Sequence, residues 1–520
     1  MTTAADEHPT TTPTDDQPVE DRGSNRSQRP SSAAFRAFIA DGWEERESPL
    51  PERLASAATA ATARAALSLD LPGERLVLPG GDLRVRSNDT DYIFRAHSAF
   101  AHLTGWGSAT EPDSVLVLHP AEAGEDGSTA GHEAVLYFRP RAGKDTEEFY
   151  ADARYGELWV GERPSLEEVA AATGLRTAHI DTLRDDLAKD AGVGQVQVRL
   201  VRGADQAVTE LVDQVRAQAG LTGTETVDAE LTERLSELRL VKVSWEVGEL
   251  RAAVAATARG FEDVVRSFPR ASGHARGERI VEGAFAARAR LDGNGIGYDT
   301  IAAAGNHANT LHWIHNDGEV RAGDLVLIDA GVEVDSLYTA DVTRTLPVDG
   351  TFTEPQRRVY RAVLDAADAA FAVAGRVNED GSRVRFRDVH AAAMEVVAAR
   401  LAEWGMLPVD AASSLEPEGQ YHRRWMVHGT SHHLGLDVHD CAQARREMYL
   451  DAELVPGMVF TIEPGLYLRA DDLKVPEDMR GIGVRIEDDV LVTETGVENL
   501  SAALPRTPEA IEEWMAALRG

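Results

Sequence analysis

The sequence contains little cysteine, few basic residues relative to acidic ones, and no long apolar run. One cysteine in 520 residues cannot form an internal disulfide, so the fold does not depend on an oxidising compartment. Lys and Arg number 53 against 87 Asp and Glu, which gives a formal charge of −34. This balance argues against coating nucleic acid, which requires clustered basic residues, and against docking on an anionic membrane. No stretch of about 18 apolar residues is present, so we expect no spanning helix.

The first 32 residues are rich in Thr, Asp, Pro and Ser. Such a segment buries too little apolar surface to offset its ordering entropy, and we predict that residues 1–32 form a disordered tail. It contains no apolar signal-peptide core. The expectation is therefore a cytoplasmic protein whose acidic residues lie mostly on a solvated surface.

Two segments of different pattern follow the tail. From residue 33 to about 225, apolar runs such as 114–118 and 134–138 alternate with helical patterns such as 165–172, which predicts an α/β domain. The weakly apolar stretch 221–230 is interpreted as a hinge. From residue 235 to 520, strand-like runs enclose long helices, one of which begins with a capping box at Thr353. Two domains are predicted, with a boundary near residues 221–235.

Histidine is concentrated in the second segment. Nine of the 16 histidines lie between residues 307 and 439. His428, His432 and His439 lie around Gly429 and Gly435, whose backbone freedom would let the imidazole rings converge on a cleft.

Four acidic residues each end or enter an apolar strand-like run. They are Asp329 in LVLIDAG, Asp341 in TADVTRT, Glu463 in VFTIEPG and Glu487 in GVRIEDD. A carboxylate in such a place costs free energy unless it is paired or coordinates a metal. Four carboxylates together with a histidine suit Mn²⁺, Co²⁺ or Zn²⁺ in a two-metal site better than they suit a thiolate-based structural zinc. The pattern therefore predicts a metal site.

These motifs, together with HGTSHHLGLDVHD (428–440), resemble those of the pita-bread-fold metallopeptidases, and among these the aminopeptidase P (Xaa-Pro aminopeptidase) family. SNDTDYIFR (87–95) and FAHLTGW (100–106) are similar to that family's N-terminal domain. The resemblance implies an α/β (α+β) fold. A C-terminal pita-bread (creatinase/aminopeptidase-like) catalytic domain over 235–520 would follow a smaller α/β N-terminal domain with a mixed sheet over 33–225.

The resemblance also implies a ligand set for two divalent ions, with Mn²⁺ expected and Co²⁺ or Zn²⁺ as alternatives. The implied ligands are Asp329, Asp341, His432, Glu463 and Glu487. Asp341 and Glu487 would bridge both ions. The implied catalytic residues are His428, His439, Glu463, His312 and Arg485.

Each catalytic residue has an implied role in a reaction in which a dinuclear-metal-activated hydroxide attacks the peptide carbonyl. Glu463 would be the general base. His428 and His439 would bind the carbonyl or the transition-state oxyanion, and His312 would position the substrate. Arg485 would orient ligand carboxylates.

One departure from the family's pattern concerns spacing. Eleven residues separate Asp329 from Asp341, whereas the family usually has ten. A one-residue slip within a strand would turn Asp341 away from the metal. Because the TRT motif that follows is in register with Asp341, we predict that the turn around residues 334–337 or a bulge absorbs the extra residue.

The implied function is hydrolysis of the bond between an N-terminal residue and a following proline. The implied partners are peptides with proline in second position, without nucleic acid or membrane, and the implied assembly is a homo-oligomer (dimer or tetramer). Prolidase, which cleaves Xaa-Pro dipeptides, shares all five ligands and remains an alternative, although ELWVG (157–161) favours aminopeptidase P. Three other relatives agree less well with this sequence. Creatinase hydrolyses its substrate without metal, methionine aminopeptidase typically lacks the large N-terminal domain, and the non-catalytic binding relatives lose the ligand set.

Overall fold

The computed structural model describes residues 30, 32–44, 49–88, 90–121 and 131–519. Almost all of the tail predicted over 1–32 lies outside the described residues. The described residues fall into two compact units, one within Met1–Leu50 and Pro140–Ser165 and the other within Pro51–Arg139 and Leu166–Gly520. The domain bounds 33–225 and 235–520 remain predictions.

Helices and strands alternate along the chain, as the sequence pattern predicts. The helices are α1 (Ala33–Ala40), α2 (Ala57–Asp70), α3 (Ser98–Thr104), α4 (Glu147–Ala151), α5 (Glu157–Val160), α6 (Leu166–Thr173), α7 (Leu183–Ala188), α8 (Gln206–Gln218), α9 (Thr224–Leu238), α10 (Ser244–Ala271), α11 (Gly277–Asp292), α12 (Glu354–Ala374), α13 (Phe386–Glu403), α14 (Ala411–Leu415) and α15 (Pro508–Arg519). Within the described part of the chain, no helix combines the length and apolar character that crossing a bilayer requires.

The strands are short, and most of them are buried. They are β1 (Arg75–Pro79), β2 (Val85–Ser87), β3 (Thr90–Asp91), β4 (Val115–Pro120), β5 (His132–Phe138), β6 (Arg176–His179), β7 (Val198–Leu200), β8 (Gly295–Ile296), β9 (Ile301–Ala304), β10 (Leu325–Ala330), β11 (Val332–Glu333), β12 (Val342–Pro347), β13 (Val459–Ile462), β14 (Gly465–Leu468), β15 (Ile482–Arg485), β16 (Asp488–Thr493) and β17 (Gly496–Asn499).

The smaller unit contains α1, α4 and α5. Aromatic side chains form its core: the Phe35 and Tyr150 rings meet edge to face at 5.3 Å, and the Trp43 and Phe149 rings meet in the same way at 5.5 Å. Edge-to-face contacts of this kind stabilise a small cluster beyond the area that they bury.

The larger unit begins with a five-stranded sheet in the order β6-β5-β4-β1-β7. Strand β1 pairs antiparallel with β4 and parallel with β7, and β5 pairs antiparallel with β4 and parallel with β6. The sheet is therefore mixed, as predicted. The runs expected at 114–118 and 134–138 form β4 and β5, and the helix expected at 165–172 is α6.

The second half of the larger unit places small antiparallel sheets against long helices. One sheet has the order β12-β10-β9, another has the order β13-β16-β17, and β14 pairs with β15. Helix α12 begins with the predicted capping box, in which the Thr353 N–H donates to Gln356 Oε1 at 2.9 Å. Its apolar face is buried at Val359 and Val363, as its periodicity predicts.

The hinge interpretation of residues 221–230 is wrong, because most of this stretch belongs to α9. The stretch has little apolar character because the inward face of the helix carries Asp228. This carboxylate is buried and accepts from Arg216 Nη1 at 2.9 Å and from Arg202 Nε at 2.7 Å. Pairing with the two arginines thus compensates for the desolvation cost of burying the Asp228 carboxylate on this helix face.

Candidate metal centre

Asp329 and Asp341 converge on one hydroxyl group. Asp329 lies near the end of β10 opposite Thr343 of β12, and Asp341 directly precedes β12. The Tyr298 hydroxyl lies 2.6 Å from Asp329 Oδ1 and 2.5 Å from Asp341 Oδ1. Both carboxylates are buried. The two aspartates therefore face the same point, as the motifs predict.

The extra residue between the two aspartates is absorbed in a turn. Leu337 adopts a positive φ of 71°, and its N–H donates to the Val334 carbonyl at 2.8 Å. Gly331 allows the two sides of this hairpin to approach, because a Cβ there would lie 1.7 Å from the Ala340 carbonyl oxygen. The predicted turn around residues 334–337 thus keeps Asp341 in register.

His432 brings the remaining acids to the same place. Its Nε2 lies 3.2 Å from Asp341 Oδ2, 3.7 Å from Glu463 Oε1 and 4.0 Å from Glu487 Oε1. Glu463 directly follows β13, and Glu487 lies between β15 and β16. The ring is oriented by Nδ1, which donates to the His433 carbonyl at 3.2 Å, so that Nε2 points to the acids.

Backbone pairing fixes these loops beside one another. The Thr461 N–H of β13 donates to the His432 carbonyl, and the Glu463 N–H donates to the Thr430 carbonyl, both at 2.9 Å. The segment that carries the imidazole therefore runs alongside β13 as an additional strand edge. As a result, main-chain hydrogen bonds join the motif that carries His432 to the motif that carries Glu463.

Asp341, Glu463 and Glu487 are placed so that they resist ionisation without a cation. Burial raises the pKa of Glu463 to about 7. Burial and the neighbouring carboxylates raise the pKa of Glu487 well above its usual value, and burial and the charge of Asp329 raise that of Asp341. For His432, burial opposes charge, but the hydrogen bond to Asp341 and the charge of Glu463 prevail and raise its pKa to about 9.

This donor set fits divalent cations. Ligand atoms of Asp341, His432 and Glu487 all lie within 4.8 Å of one another. Carboxylate oxygens with one imidazole are ligands for Mn²⁺, Co²⁺ or Zn²⁺, and a bound cation would remove the repulsion that raises the carboxyl pKa values. Asp329 and Glu463 line the same cavity of about 270 Å³. The five predicted ligands are therefore in one place.

Arg485 and Thr343 surround the acids with hydrogen-bond donors. Arg485 is buried and donates to Asp329 Oδ2. Its Nε donates to the Thr343 hydroxyl at 3.1 Å, and that hydroxyl donates to Glu487 Oε2 at 2.6 Å. These contacts agree with the expectation that Arg485 orients ligand carboxylates.

The three histidines expected to bind substrate all line the cavity, but they are not equally free. His312 and His439 are exposed there, and the His439 ring meets the His432 ring edge to face at 4.4 Å. His428 uses both nitrogens: Nδ1 donates to the Gly429 carbonyl at 2.5 Å, and Nε2 accepts from the Tyr467 hydroxyl at 2.7 Å. Burial, aided by the charge of Arg485, lowers the His428 pKa to about 3, so this ring is neutral.

The expectation that Gly429 and Gly435 are needed for their backbone freedom is not met. Neither Gly429 nor Gly435 has a positive φ. Gly435 is required for space, because a Cβ would lie 2.4 Å from Asp440 Oδ2, whereas a Cβ at Gly429 would meet no atom closer than 3.9 Å. His433, between the ligand and Gly435, is fully buried and stacks on Phe386 at 4.7 Å, so it is a packing residue.

Sequence reasoning missed three side chains that contact the predicted site residues. Tyr298 lies in a loop of the segment GNGIGYDT, far from every motif, and carried no signal. Thr343 is within the quoted motif TADVTRT, and Tyr467 lies two residues after VFTIEPG. Their hydroxyl groups could have been considered as hydrogen-bond partners of the nearby site residues.

Most of the chain matches known proteins. The model of metallopeptidase family M24 matches residues 248–494, and that of the aminopeptidase P N-terminal domain matches residues 60–198. Two Streptomyces coelicolor proteins named Xaa-Pro aminopeptidase 1 and 2 are each 50% identical. The first covers 92% of this chain and 91% of its own length, and the second covers 94% and 97%.

Solved structures agree with these sequence relatives. A variant of Escherichia coli aminopeptidase P superposes with a TM-score of 0.76 at 30% identity and covers 90% of this chain and 100% of its own. Proline aminopeptidase P II from Yersinia pestis gives a TM-score of 0.74 at 30% identity, covering 88% and 99%. The chain therefore belongs to metallopeptidase family M24, as an enzyme of the aminopeptidase P type with the pita-bread fold and the N-terminal domain of that group.

Proposed function

We propose that this protein is an Xaa-Pro aminopeptidase, which removes the N-terminal residue from peptides that have proline in second position. The observation that carries the proposal is the convergence of all five donor side chains in one cavity, in a chain half identical to relatives of that name. Asp329, Asp341, His432, Glu463 and Glu487 would hold two divalent cations. When bound, these ions would supply Lewis acidity and allow water to act as a nucleophile near neutral pH.

The side chains of this protein would then carry the proton and orient the substrate. Glu463, held beside His432, is the group that we assign to accept the proton from the attacking water. His439 faces the cavity and is free to donate to the substrate carbonyl or to the oxyanion that forms from it. His428 would do so only by exchanging its bond to Gly429 or Tyr467, so it acts from a neutral, hydrogen-bonded ring.

His312 and Arg485 would complete the site. His312 lies at the exposed side of the cavity, where it would position the substrate chain. Arg485 would keep Asp329 oriented, since its guanidinium donates to Oδ2 of that carboxylate. The raised pKa of Glu463 describes the protein without cations. It therefore does not define the acidic side of the pH–activity profile of the metal-loaded enzyme.

Manganese is the metal that we propose, with cobalt or zinc as alternatives. The oxygen-rich donor set with one imidazole supports all three. A solved Escherichia coli aminopeptidase P is zinc-substituted, which supports zinc as an alternative here. A homo-oligomer and a cytoplasmic location are further proposals, as are the absence of nucleic-acid and membrane partners.

The test compares three peptides on the Mn²⁺-loaded protein: an Xaa-Pro-Xaa tripeptide, the matching Xaa-Pro dipeptide, and a tripeptide with alanine in place of proline. We expect cleavage of the proline tripeptide before proline and much slower cleavage of the alanine peptide. Exclusive cleavage of the dipeptide would make the protein a prolidase. No cleavage of either proline peptide would contradict the proposal.

A further inference from the structure

Arg95 lies in the N-terminal part of the chain but binds two segments of the catalytic half. Its Nε donates to Glu333 Oε2 at 2.6 Å, and its Nη2 donates to the Leu436 carbonyl. Its Nη1 donates to the Ala96 carbonyl at 3.3 Å and to Ser98 Oγ at 3.2 Å. All three guanidinium nitrogens are thus used. A planar guanidinium can hold partners in several fixed directions, which the ammonium group of lysine cannot reproduce.

The first segment is the hairpin between the ligand candidates Asp329 and Asp341. Glu333 lies in β11 within that hairpin, and its side chain is 5% exposed. Its second oxygen accepts from Asn294 Nδ2 at 2.8 Å. A carboxylate buried to this degree depends on its charged partner. Arg95 therefore fixes the hairpin that carries two of the proposed ligands.

The second segment is the 434–440 loop, which follows the proposed ligand His432 and contains His439. Ser98 Oγ donates to Asp437 Oδ1 of this loop at 2.5 Å, beside the bond from Arg95 to the Leu436 carbonyl. Within the loop, the Gly435 N–H donates to the Asp437 carbonyl at 3.1 Å. The loop is therefore tightly turned and held from outside at its middle.

The other end of the loop is held by a different element. Arg239, at the end of α9, donates from Nε to Asp440 Oδ1 at 2.9 Å, and both side chains are buried. The Asp440 N–H donates to the His433 carbonyl at 2.9 Å. His439 thus lies between a residue anchored through Arg239 and a residue anchored through Ser98, while its own ring stays exposed to the cavity.

We propose that Arg95 and Ser98 are positioning residues of the active site. They hold the 434–440 loop against the hairpin of Asp329 and Asp341, and so set where the His439 ring lies relative to the metal ligands. Through these contacts the N-terminal domain acts on catalysis within the same chain. The kinetic consequence rests on the proposed function, whereas the consequence for loop protection does not.

The test uses Arg95→Lys and Ser98→Ala in the full-length protein, with Arg176→Lys as a matched control. Arg176 is an exposed arginine of the same part of the chain, paired with Glu133 at 2.7 Å. Three quantities are measured for each variant: bound Mn²⁺ per chain, kcat and KM for an Xaa-Pro-Xaa tripeptide, and amide hydrogen exchange of the peptide that covers 434–441.

We expect both variants to retain bound metal, to lose about 10- to 100-fold in kcat with a smaller change in KM, and to exchange faster in the 434–441 peptide. The Arg176→Lys variant is expected to match the wild type in all three. Unchanged kcat and unchanged exchange in both variants would overturn the proposal, as would a uniform rise of exchange over the whole chain, which indicates a general loss of stability. If the wild type cleaves no proline peptide while exchange still rises only in this loop, the proposed function fails and the positioning role stands.

Discussion

The Tyr298 hydroxyl offers the sharpest perturbation of the proposed ligands, because it lies between two of them. Tyr298→Phe removes one oxygen atom, the one 2.6 Å from Asp329 and 2.5 Å from Asp341, and leaves the ring in place. A donor on a carboxylate favours its ionised form, and a carboxylate must be ionised to bind a metal. The variant should therefore bind divalent cations more weakly than the wild type.

The size of the effect follows from the hydrogen bond that is lost. A hydrogen bond to a charged group contributes about 1.5–3 kcal/mol. If this free energy is lost from the ionised, metal-binding form, the affinity falls about 10- to 100-fold, which agrees with the usual effect of removing a residue that orients a ligand. Because protons compete with the metal, the loss should grow as the pH falls.

The assay is competition of bound Mn²⁺ with a chelator, at two pH values. Tyr360→Phe is the matched control, because the Tyr360 hydroxyl is buried and, among the described residues, makes no hydrogen bond. We expect the control to bind metal like the wild type. Wild-type affinity in the Tyr298→Phe variant at both pH values would show that the Tyr298 hydroxyl does not support metal binding.

Two further predictions concern the surroundings of the ligands. His428→Ala should lower kcat by about 100- to 1,000-fold while bound Mn²⁺ stays at the wild-type level, because the ring nitrogens are hydrogen-bonded to Gly429 and Tyr467 and Nδ1 lies 3.6 Å from the proposed ligand Glu463; loss of metal would make His428 a ligand instead. Asp440→Asn should lower the free energy of unfolding in urea by about 3–5 kcal/mol near neutral pH, because it leaves Arg239 buried without its partner. Burial opposes the charge of Asp440, but Arg239 and Lys242 prevail and lower its pKa from 3.8 to about 2. The ionised carboxylate therefore stabilises the folded protein at pH values above the pKa of the unfolded state, and this stabilisation is lost as the pH falls towards 2. The difference between wild type and Asp440→Asn should consequently shrink by about 2 kcal/mol in acid; a difference that does not change with pH would contradict this.

The convergence of the five proposed ligands was the most predictable feature of the site, because their positions depend on strand ends. Asp329 ends an apolar run, and in a buried strand such a carboxylate needs a partner. The convergence of Asp341 despite its extra residue was predictable only as a preference, since it depends on a turn at Leu337 whose positive φ no sequence rule demands.

The contacts between distant segments could not be predicted. Tyr298 reaches both aspartates from a loop 31 residues before the first of them, and Arg95 reaches Leu436 across 341 residues. Such pairs have no periodicity or spacing, and only the folded chain brings them together. The part of α9 over 224–230 was missed for a related reason, because its buried face includes Asp228, and arginines elsewhere in the sequence compensate for the burial of that carboxylate.

We propose that five side chains hold the two divalent ions that hydrolysis requires. The decisive measurement is the metal content and peptide cleavage of the purified wild type and of the Glu487→Ala variant, both loaded with Mn²⁺. We expect two ions per wild-type chain with cleavage of an Xaa-Pro-Xaa tripeptide, and loss of both bound metal and cleavage in the variant. A Glu487→Ala protein with wild-type metal content and wild-type turnover would contradict the two-metal proposal.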